Sequence, residues 1–350
     1  MNPIPTTAAA HAAALSLVLS LAACGGGGGD AGSGGGGLPG GLSLQARTAA
    51  ATATAQSATN ACAPIQPFYW EVGDQGARLA SGSVPSNNGN PVYTGATLMS
   101  IASASKWLYG AYVVQQRQGQ LTDSDIKFLT FRSGYTNFTR CLPGQTVDGC
   151  VAYLNNGVYS TATDGLFSYG GGHMEKHASL NGLGALNNAS LAAEIRAQLG
   201  SDITLAYSQP QLAGGVVSSA DAYAVFLRKL LAGSLLMKAA LGSHAVCTNP
   251  ATCAQARNAP VPATVSYHYS IGHWVEDDPD PAKGDGAFSS AGAFGFYPWI
   301  DKSKTWYGIV ARMDNNGTTD PGDPDSAGHG FASLQCGRLI RAAWMDGVAR

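Results

Sequence analysis

A serine and a lysine three positions apart are the residues of this sequence best suited to chemistry. Ser103 and Lys106 stand in Ser103-Ala104-Ser105-Lys106, which follows an apolar run and opens an apolar stretch. Residues three apart on a helix share a face, so Lys106 can reach the Ser103 hydroxyl. A serine is activated when a base removes its proton, and burial or a nearby cation favours the neutral lysine that serves as base. The pair indicates acyl transfer through Ser103.

The same spacing occurs a second time, at Ser124 and Lys127. That copy lies in the polar stretch Thr122-Asp123-Ser124-Asp125, which predicts a solvated loop. The spacing alone therefore does not identify a nucleophile, and the surrounding elements must distinguish the two copies.

Hydrophobic periodicity predicts the elements that position Ser103. Strands at both ends of the chain, with helices between them, predict one α/β (α+β) catalytic domain over residues 61–350. The predicted hairpin covers 68–72 and 78–80, the later strands cover 266–276, 292–299 and 305–313, and the helices cover 103–118, 191–199, 220–231 and 331–343.

The N-terminal segment predicts export. The apolar run Ala8–Ala23 is shorter than the ~20 residues of a membrane-spanning helix and ends in Leu21-Ala22-Ala23-Cys24. Residues 1–24 resemble a lipoprotein signal peptide with Cys24 as the lipidated residue, although no Lys or Arg precedes the apolar run; an ordinary signal peptide is the alternative. Residues 25–60, rich in Gly, Ala, Ser and Thr, predict a flexible tether.

Six further cysteines predict three disulfides in an exported chain, and six cysteines allow fifteen connectivities. Proximity in sequence favours Cys141–Cys150 and Cys247–Cys253, which leaves Cys62–Cys336 to join the two ends of the domain. No CxxC pair occurs, so a metal role for these cysteines is disfavoured.

The amino-acid composition limits the kinds of molecule that this chain is expected to bind. The chain has 350 residues, 45 % hydrophobic and 12 % charged, with a formal net charge of −2. This balance supports a sizeable core and excludes a disordered or nucleic-acid-binding protein. We expect a small-molecule, peptide or ester substrate, no cofactor, no metal, no nucleic acid, and contact with a membrane only through an N-terminal lipid anchor.

Several segments resemble those of the serine β-lactamase and penicillin-binding-protein superfamily, in particular class C-type β-lactamases, related esterases and D-Ala-D-Ala peptidases. Five matches occur in the family's order over roughly residues 98 to 312. They are Ser103 to Lys106, Phe128-Leu129-Thr130-Phe131-Arg132-Ser133-Gly134-Tyr135, Phe167-Ser168-Tyr169-Gly170-Gly171, Leu212-Ala213-Gly214-Gly215-Val216-Val217-Ser218-Ser219-Ala220-Asp221 and Phe288-Ser289-Ser290-Ala291-Gly292-Ala293-Phe294-Gly295.

The resemblance implies an antiparallel sheet flanked by helices, with the site between the sheet and a helical subdomain. It implies that Tyr169 completes the proton relay, partly as a phenolate beside a cationic lysine; a core tyrosine is the alternative. It also implies that the strand Ser290-Ala291-Gly292 borders the site and that the N–H groups of Ser103 and Ala293 form the oxyanion hole.

Two departures from the family motifs narrow the expected substrate. Gly171 stands where the family has Asn, and Ser290 stands where it has Lys or His. Because these groups help β-lactam-processing members to hold the substrate amide and carboxylate, we expect an exported serine hydrolase of carboxylic esters or amides. The alternatives are a β-lactamase or D-Ala-D-Ala peptidase proper and a non-catalytic ligand-binding envelope protein.

Four other residues are weaker candidates. His173 and His177 are four apart, which predicts a role in lining the site or on the surface, with zinc binding less favoured. His273 and Trp274 lie on a predicted strand, where packing is the favoured interpretation.

Overall fold

The computed structural model describes residues 41–86, 92–315 and 328–350. All of them belong to one compact unit that runs from residue 38 to 350. The predicted signal peptide, Cys24 and tether residues 25–40 lie outside the described residues.

An eight-stranded antiparallel sheet is the largest sheet of the described part. Its strand order is β2-β1-β13-β12-β11-β10-β9-β7, so strands from the two ends of the chain are neighbours in it. The strands are β1 (Phe68–Gly73), β2 (Arg78–Val84), β7 (Val246–Cys247), β9 (His268–Tyr269), β10 (Trp274–Glu276), β11 (Ala287–Ser289), β12 (Tyr297–Ile300) and β13 (Tyr307–Ala311).

Smaller sheets and helices complete the fold. Strand β13 is buried along its whole length, and both α7 (Ala220–Ala232) and α9 (His329–Asp346) pack against it. The minor strands are β3 (Met99–Ser100), β4 (Phe167–Ser168), β5 (Ala206–Tyr207), β6 (Val216–Ser218) and β8 (Ala256–Asn258). The other helices are α1 (Leu44–Ala55), α2 (Ser105–Gln116), α3 (Asp123–Leu129), α4 (Val147–Val151), α5 (Gly172–Ala178), α6 (Asn188–Leu199) and α8 (Met237–Ala240).

The fold class, the N-terminal hairpin and the long helices agree with the sequence predictions. The predicted strand 292–299 is wrong in its first half, since only Tyr297–Ile300 is a strand. Residues 292–296 form a turn closed by the Gly292 N–H on the Phe296 oxygen (2.8 Å), with Gly295 at φ +105°. A positive φ favours glycine and interrupts an extended strand.

The predicted tether is wrong for residues 44–55, which form α1. Ser43 caps this helix, and Arg47 is buried with its guanidinium donating to the Trp344 oxygen at 2.6 Å. Small side chains such as Ala51 and Ala55 are fully buried as α1 packs on α9. Composition suggested flexibility because alanine and threonine also suit a tether, whereas close helix packing uses their small size.

The second Ser-x-x-Lys copy is also not a loop. It forms α3, which begins at a capping box between Thr122 and Asp125. Ser124 is exposed, and Lys127 forms an ion pair with Asp164 at 2.7 Å. This copy is therefore a surface helix face.

The three disulfides have the predicted pairing: Cys62–Cys336, Cys141–Cys150 and Cys247–Cys253. Among the described residues, no helix combines the length and apolar character required to cross a membrane.

Candidate active site

Ser103 lies in a tight turn between β3 and α2. The short 3₁₀ turn Ala102–Ala104 links them, and the Ile101 N–H donates to the Val216 oxygen at 3.0 Å. Ala102 has φ +43°, a left-handed conformation that costs an alanine roughly 1–2 kcal/mol. Such a conformation persists only when the surrounding structure imposes it, as happens at functional sites.

Lys106 is buried one turn after Ser103. Its Nζ lies 2.9 Å from Ser103 Oγ and donates to the Ala213 oxygen at 2.7 Å. Burial lowers the pKa of Lys106 to about 7, while the nearby Glu175 acts to raise it. A substantial fraction of this lysine is therefore neutral near pH 7 and can accept a proton.

Tyr169 forms one wall beside this pair. Lys106 Nζ lies 4.9 Å from the centre of the Tyr169 ring, and the ring stacks on Trp274 at 5.4 Å. Burial raises the pKa of Tyr169 to about 12, although hydrogen bonds from Ser103 and Trp274 act to lower it. The expected phenolate is thus the minor form at neutral pH, because desolvation of the anion outweighs the stabilising contacts.

The segment after β11 contacts the backbone of Ser103. The Ser290 hydroxyl donates to the Ser103 carbonyl oxygen at 2.9 Å. Ser290, which is predicted to border the site, thus holds the backbone of Ser103. Ala291, Gly292 and Ala293 line the same pocket as Ser103.

Two backbone N–H groups are available in this pocket. Within the described residues, the Ser103 and Ala293 N–H groups form no hydrogen bonds, and both residues line the pocket. The two N–H groups are therefore candidates for the expected oxyanion donors, which must remain free until charge develops on a substrate oxygen.

The pocket in front of Ser103 has a volume of about 200 Å³ and a mostly apolar wall. Among the described residues that line it, His329, at the start of α9, is the only imidazole. The described part of the lining consists of Ser103, Tyr169, Pro260, Val261, Trp274, Ala291, Gly292, Ala293, Gly328, His329, Gly330, Phe331 and Leu334.

Packing accounts for the glycine where the family has an asparagine. A Cβ on Gly171 would lie 2.9 Å from the Phe138 ring, and one on Gly172 would lie 2.6 Å from the Tyr135 oxygen. Any side chain at position 171 would require Phe138 to move.

The two candidate histidines are buried rather than on the surface. His173 Nδ1 lies 2.7 Å from Ser133 Oγ, and burial lowers the His173 pKa to about 4. His177 bonds to Tyr109 and to Asp125 Oδ1, at 2.7 and 2.9 Å. Over the ranges that the structure describes, no group of three or more His, Cys, Asp or Glu residues could hold a metal ion.

Packing is confirmed for His273, whose ring stacks on Trp107 at 5.5 Å. Trp274 does more than pack, since it lines the pocket and contacts Tyr169. The sequence pattern does not indicate a role for Glu175. Its carboxylate accepts the N–H groups of Leu212 and Ala213, which lie 37 and 38 residues further along the chain. No local pattern distinguishes such a glutamate from a solvated one.

Comparison with known proteins establishes the fold. No known family profile and no curated protein sequence matches the chain. Solved structures do match, and those described below share 18 % identity or less with it. A Bacteroides dorei protein assigned as a β-lactamase has a TM-score of 0.56 at 18 % identity, covering 78 % of this chain and 93 % of its own.

Two further structures cover most of the chain. The octameric penicillin-binding protein homologue from Pyrococcus abyssi has a TM-score of 0.55 at 12 % identity, covering 83 % of this chain and 76 % of its own. EstCE1, a hydrolase with promiscuous acyltransferase activity, has a TM-score of 0.53 at 11 % identity, covering 86 % and 99 %. The chain therefore has the fold of the serine β-lactamase and penicillin-binding-protein superfamily, as its motifs predicted.

Proposed function

We propose that this protein is a serine hydrolase that cleaves uncharged carboxylic esters or amides through an acyl-enzyme on Ser103. One observation carries the proposal: the buried Lys106, with a pKa of about 7, lies 2.9 Å from a serine hydroxyl that faces a pocket. A base with a pKa near the operating pH is the most effective proton acceptor.

In the first step, Ser103 Oγ attacks the substrate carbonyl carbon while neutral Lys106 takes the hydroxyl proton. The negative charge that develops on the carbonyl oxygen is stabilised by the N–H groups of Ser103 and Ala293. When the bond to the leaving group breaks, the proton passes from Lys106 to the departing oxygen or nitrogen. Tyr169, which lines the same pocket as Ser103, is placed to relay this proton as a neutral phenol.

In the second step, water attacks the acyl-enzyme. Its proton passes to Lys106 and then to Ser103 Oγ as the ester bond to the serine breaks, which releases the carboxylic acid and restores the enzyme. The same base serves both steps because each one transfers a single proton at Ser103.

The apolar wall supports an uncharged substrate. Pro260, Val261, Phe331 and Leu334 offer hydrophobic contact beside Ser103. Ser290 stands where β-lactam-processing members carry a cationic group, and its hydroxyl donates to the Ser103 carbonyl oxygen. We therefore favour short apolar esters over β-lactams or peptides ending in D-Ala.

Covalent labelling tests the proposal. Wild-type protein should gain the mass of a fluorophosphonate probe at Ser103, and Ser103→Ala should gain none. The duplicated motif supplies a matched control, since Ser124→Ala should label like wild type. If wild type and Ser103→Ala behave alike, the hydrolase proposal fails and a ligand-binding protein on this fold becomes the better account.

A substrate panel then defines the acyl group. We expect turnover of p-nitrophenyl esters with short apolar acyl chains, lost in Ser103→Ala, and little turnover of nitrocefin. Ser103-dependent nitrocefin hydrolysis at a rate matching the esters would instead favour a β-lactamase.

We also propose that the domain acts outside the cytoplasm as a lipoprotein. The three disulfides support an oxidising compartment. In cells expressing the full chain, labelled palmitate should be incorporated into the wild-type protein and not into Cys24→Ala. If neither protein is labelled, an ordinary cleaved signal peptide explains the N-terminal segment better than a lipoprotein signal does.

A further inference from the structure

Glu175 is a buried carboxylate on α5 with two backbone partners. Its oxygens accept the Leu212 and Ala213 N–H groups at 2.9 and 3.0 Å, and the residue has no exposed surface. Burying a carboxylate is costly unless hydrogen bonds and a nearby cation compensate for the lost water. Glu175 has both, since it accepts two N–H groups and Lys106 acts to lower its pKa.

The backbone that Glu175 holds is the backbone that Lys106 contacts. The Ala213 oxygen accepts from Lys106 Nζ at 2.7 Å, while the Ala213 N–H donates to Glu175. The other end of this turn is also fixed, because the Val216 N–H donates to Ser105 Oγ at 3.2 Å. Glu175 and Ser105 therefore hold the two ends of the turn whose Ala213 oxygen accepts the hydrogen bond from Lys106.

Among the described residues, three ionisable groups interact electrostatically with Glu175. Lys106 and Tyr109 belong to α2, and Tyr207 belongs to β5. Burial raises the pKa of both tyrosines far above neutrality, so both are uncharged. Of these groups only Lys106 carries a charge that varies near pH 7. On α5 itself, His173 and His177 bond to other partners.

We propose that Glu175 is a positioning residue for Lys106: its carboxylate fixes the Leu212–Ala213 backbone that holds the lysine amine against Ser103. The inference rests on the proposed function, in which Lys106 is the base. It extends that function to a residue that lies in none of the matched motifs.

Electrostatics gives the direction of the effect. Burial raises the pKa of Glu175 to about 7, and Lys106 acts to lower it; Glu175 in turn acts to raise the lysine pKa. Removing the carboxylate charge should therefore lower the Lys106 pKa, so that the base becomes neutral at lower pH.

The test is the pH dependence of the fluorophosphonate labelling rate at Ser103 in wild type, Glu175→Gln, Glu175→Asp and Glu71→Gln. Glutamine keeps the size of the side chain, removes the charge and turns one acceptor into a donor. We expect the labelling rate of Glu175→Gln to be at least about tenfold lower, because a misplaced catalytic group is costly. The half-point of the profile, which is the pH at which the rate is half its maximum, should lie about one pH unit lower.

The other two variants separate positioning from general stability. An aspartate in place of Glu175 would keep the charge but be too short to reach both N–H groups, so Glu175→Asp should label slowly with the wild-type half-point. Glu71 is equally buried on β1 and accepts from Tyr69, Arg78 and Tyr307. Glu71→Gln should lower the unfolding temperature and leave both the labelling rate and its half-point unchanged.

Each outcome decides the matter. A Glu175→Gln protein with the wild-type rate and half-point overturns the inference while the hydrolase proposal stands. If Glu175→Gln does not fold, Glu175→Asp decides: slow labelling with an unchanged half-point supports the inference, and a wild-type rate overturns it. Labelling of Ser103→Ala equal to wild type would instead overturn the proposed function itself.

Discussion

Gly292 lies directly against the carbonyl group of Ile101, which stands two residues before Ser103. A Cβ at position 292 would lie 2.2 Å from the Ile101 oxygen, closer than any side chain tolerates. This approach joins the segment that carries the Ala293 N–H to the turn that carries Ser103. The relative position of Ser103 and the Ala293 N–H thus depends on the absence of a single methyl group.

Gly292→Ala should therefore damage the site beyond its cost in stability. We expect a loss of about 1–3 kcal/mol in the free energy of unfolding and a labelling rate at Ser103 lowered at least about a hundredfold by misplacement. Urea unfolding and probe labelling measure the two effects. Gly149→Ala is the control, since a Cβ there makes only ordinary contacts; equal behaviour of the two variants would contradict the prediction.

The labelling rate at Ser103 should rise with pH through about 7. Lys106 accepts the serine proton only when neutral, and its pKa is about 7, so the active fraction is small below this pH and nearly complete well above it. Lys106→Met should label at least about a hundredfold more slowly without this rise. Lys127→Met should retain the wild-type profile, and a wild-type rate independent of pH would count against Lys106 as the base.

Tyr169→Phe should slow turnover while leaving the fold intact. The phenylalanine ring keeps the stacking on Trp274 but loses the hydroxyl that is proposed to relay the proton. Loss of a proton relay costs roughly 10²–10⁴-fold in kcat. Steady-state ester kinetics gives this number, and thermal unfolding should change little. If Tyr169→Phe has the kcat of the wild-type protein, Tyr169 is a packing residue and does not relay the proton.

The disulfides should contribute unequally to stability. Cys62–Cys336 spans 274 residues and Cys247–Cys253 spans six. Chain entropy predicts losses of about 6 and about 2 kcal/mol when each pair is replaced by alanine. Urea unfolding of the two double variants measures both values. Equal losses of unfolding free energy in the two variants would show that loop closure in the unfolded chain is not the main source of the stability that the disulfides provide.

Helix α1 should be part of the folded domain. A chain beginning at residue 58 lacks α1 and the Arg47 contacts with the Trp344 and Met345 oxygens. We expect it to lose at least about 2 kcal/mol in unfolding free energy, whereas a chain beginning at residue 42 should match the longer protein. Equal stability of the two truncations would restore the interpretation of 44–55 as a tether.

The sequence by itself determined the elements and motifs that local rules govern. Hydrophobic periodicity located the hairpin and the long helices, since each pattern reflects the burial of one segment. Helical spacing made Lys106 a neighbour of Ser103, and sequence separation favoured the disulfide pairs. The order of five motifs pointed to the fold, although each motif was ambiguous alone.

Only the tertiary structure decided which groups meet across distant segments. Ser124 and Lys127 have the same spacing as Ser103 and Lys106, and burial gives Lys106 a lowered pKa while Lys127 remains an ion-paired surface residue. Glu175 meets Ala213 through packing of α5 on a turn that no local pattern specifies. The Ser103 and Gly292 segments, far apart in the chain, meet because Gly292 permits a close backbone contact. Local sequence encodes local geometry, whereas desolvation and close approach arise only when the whole core assembles.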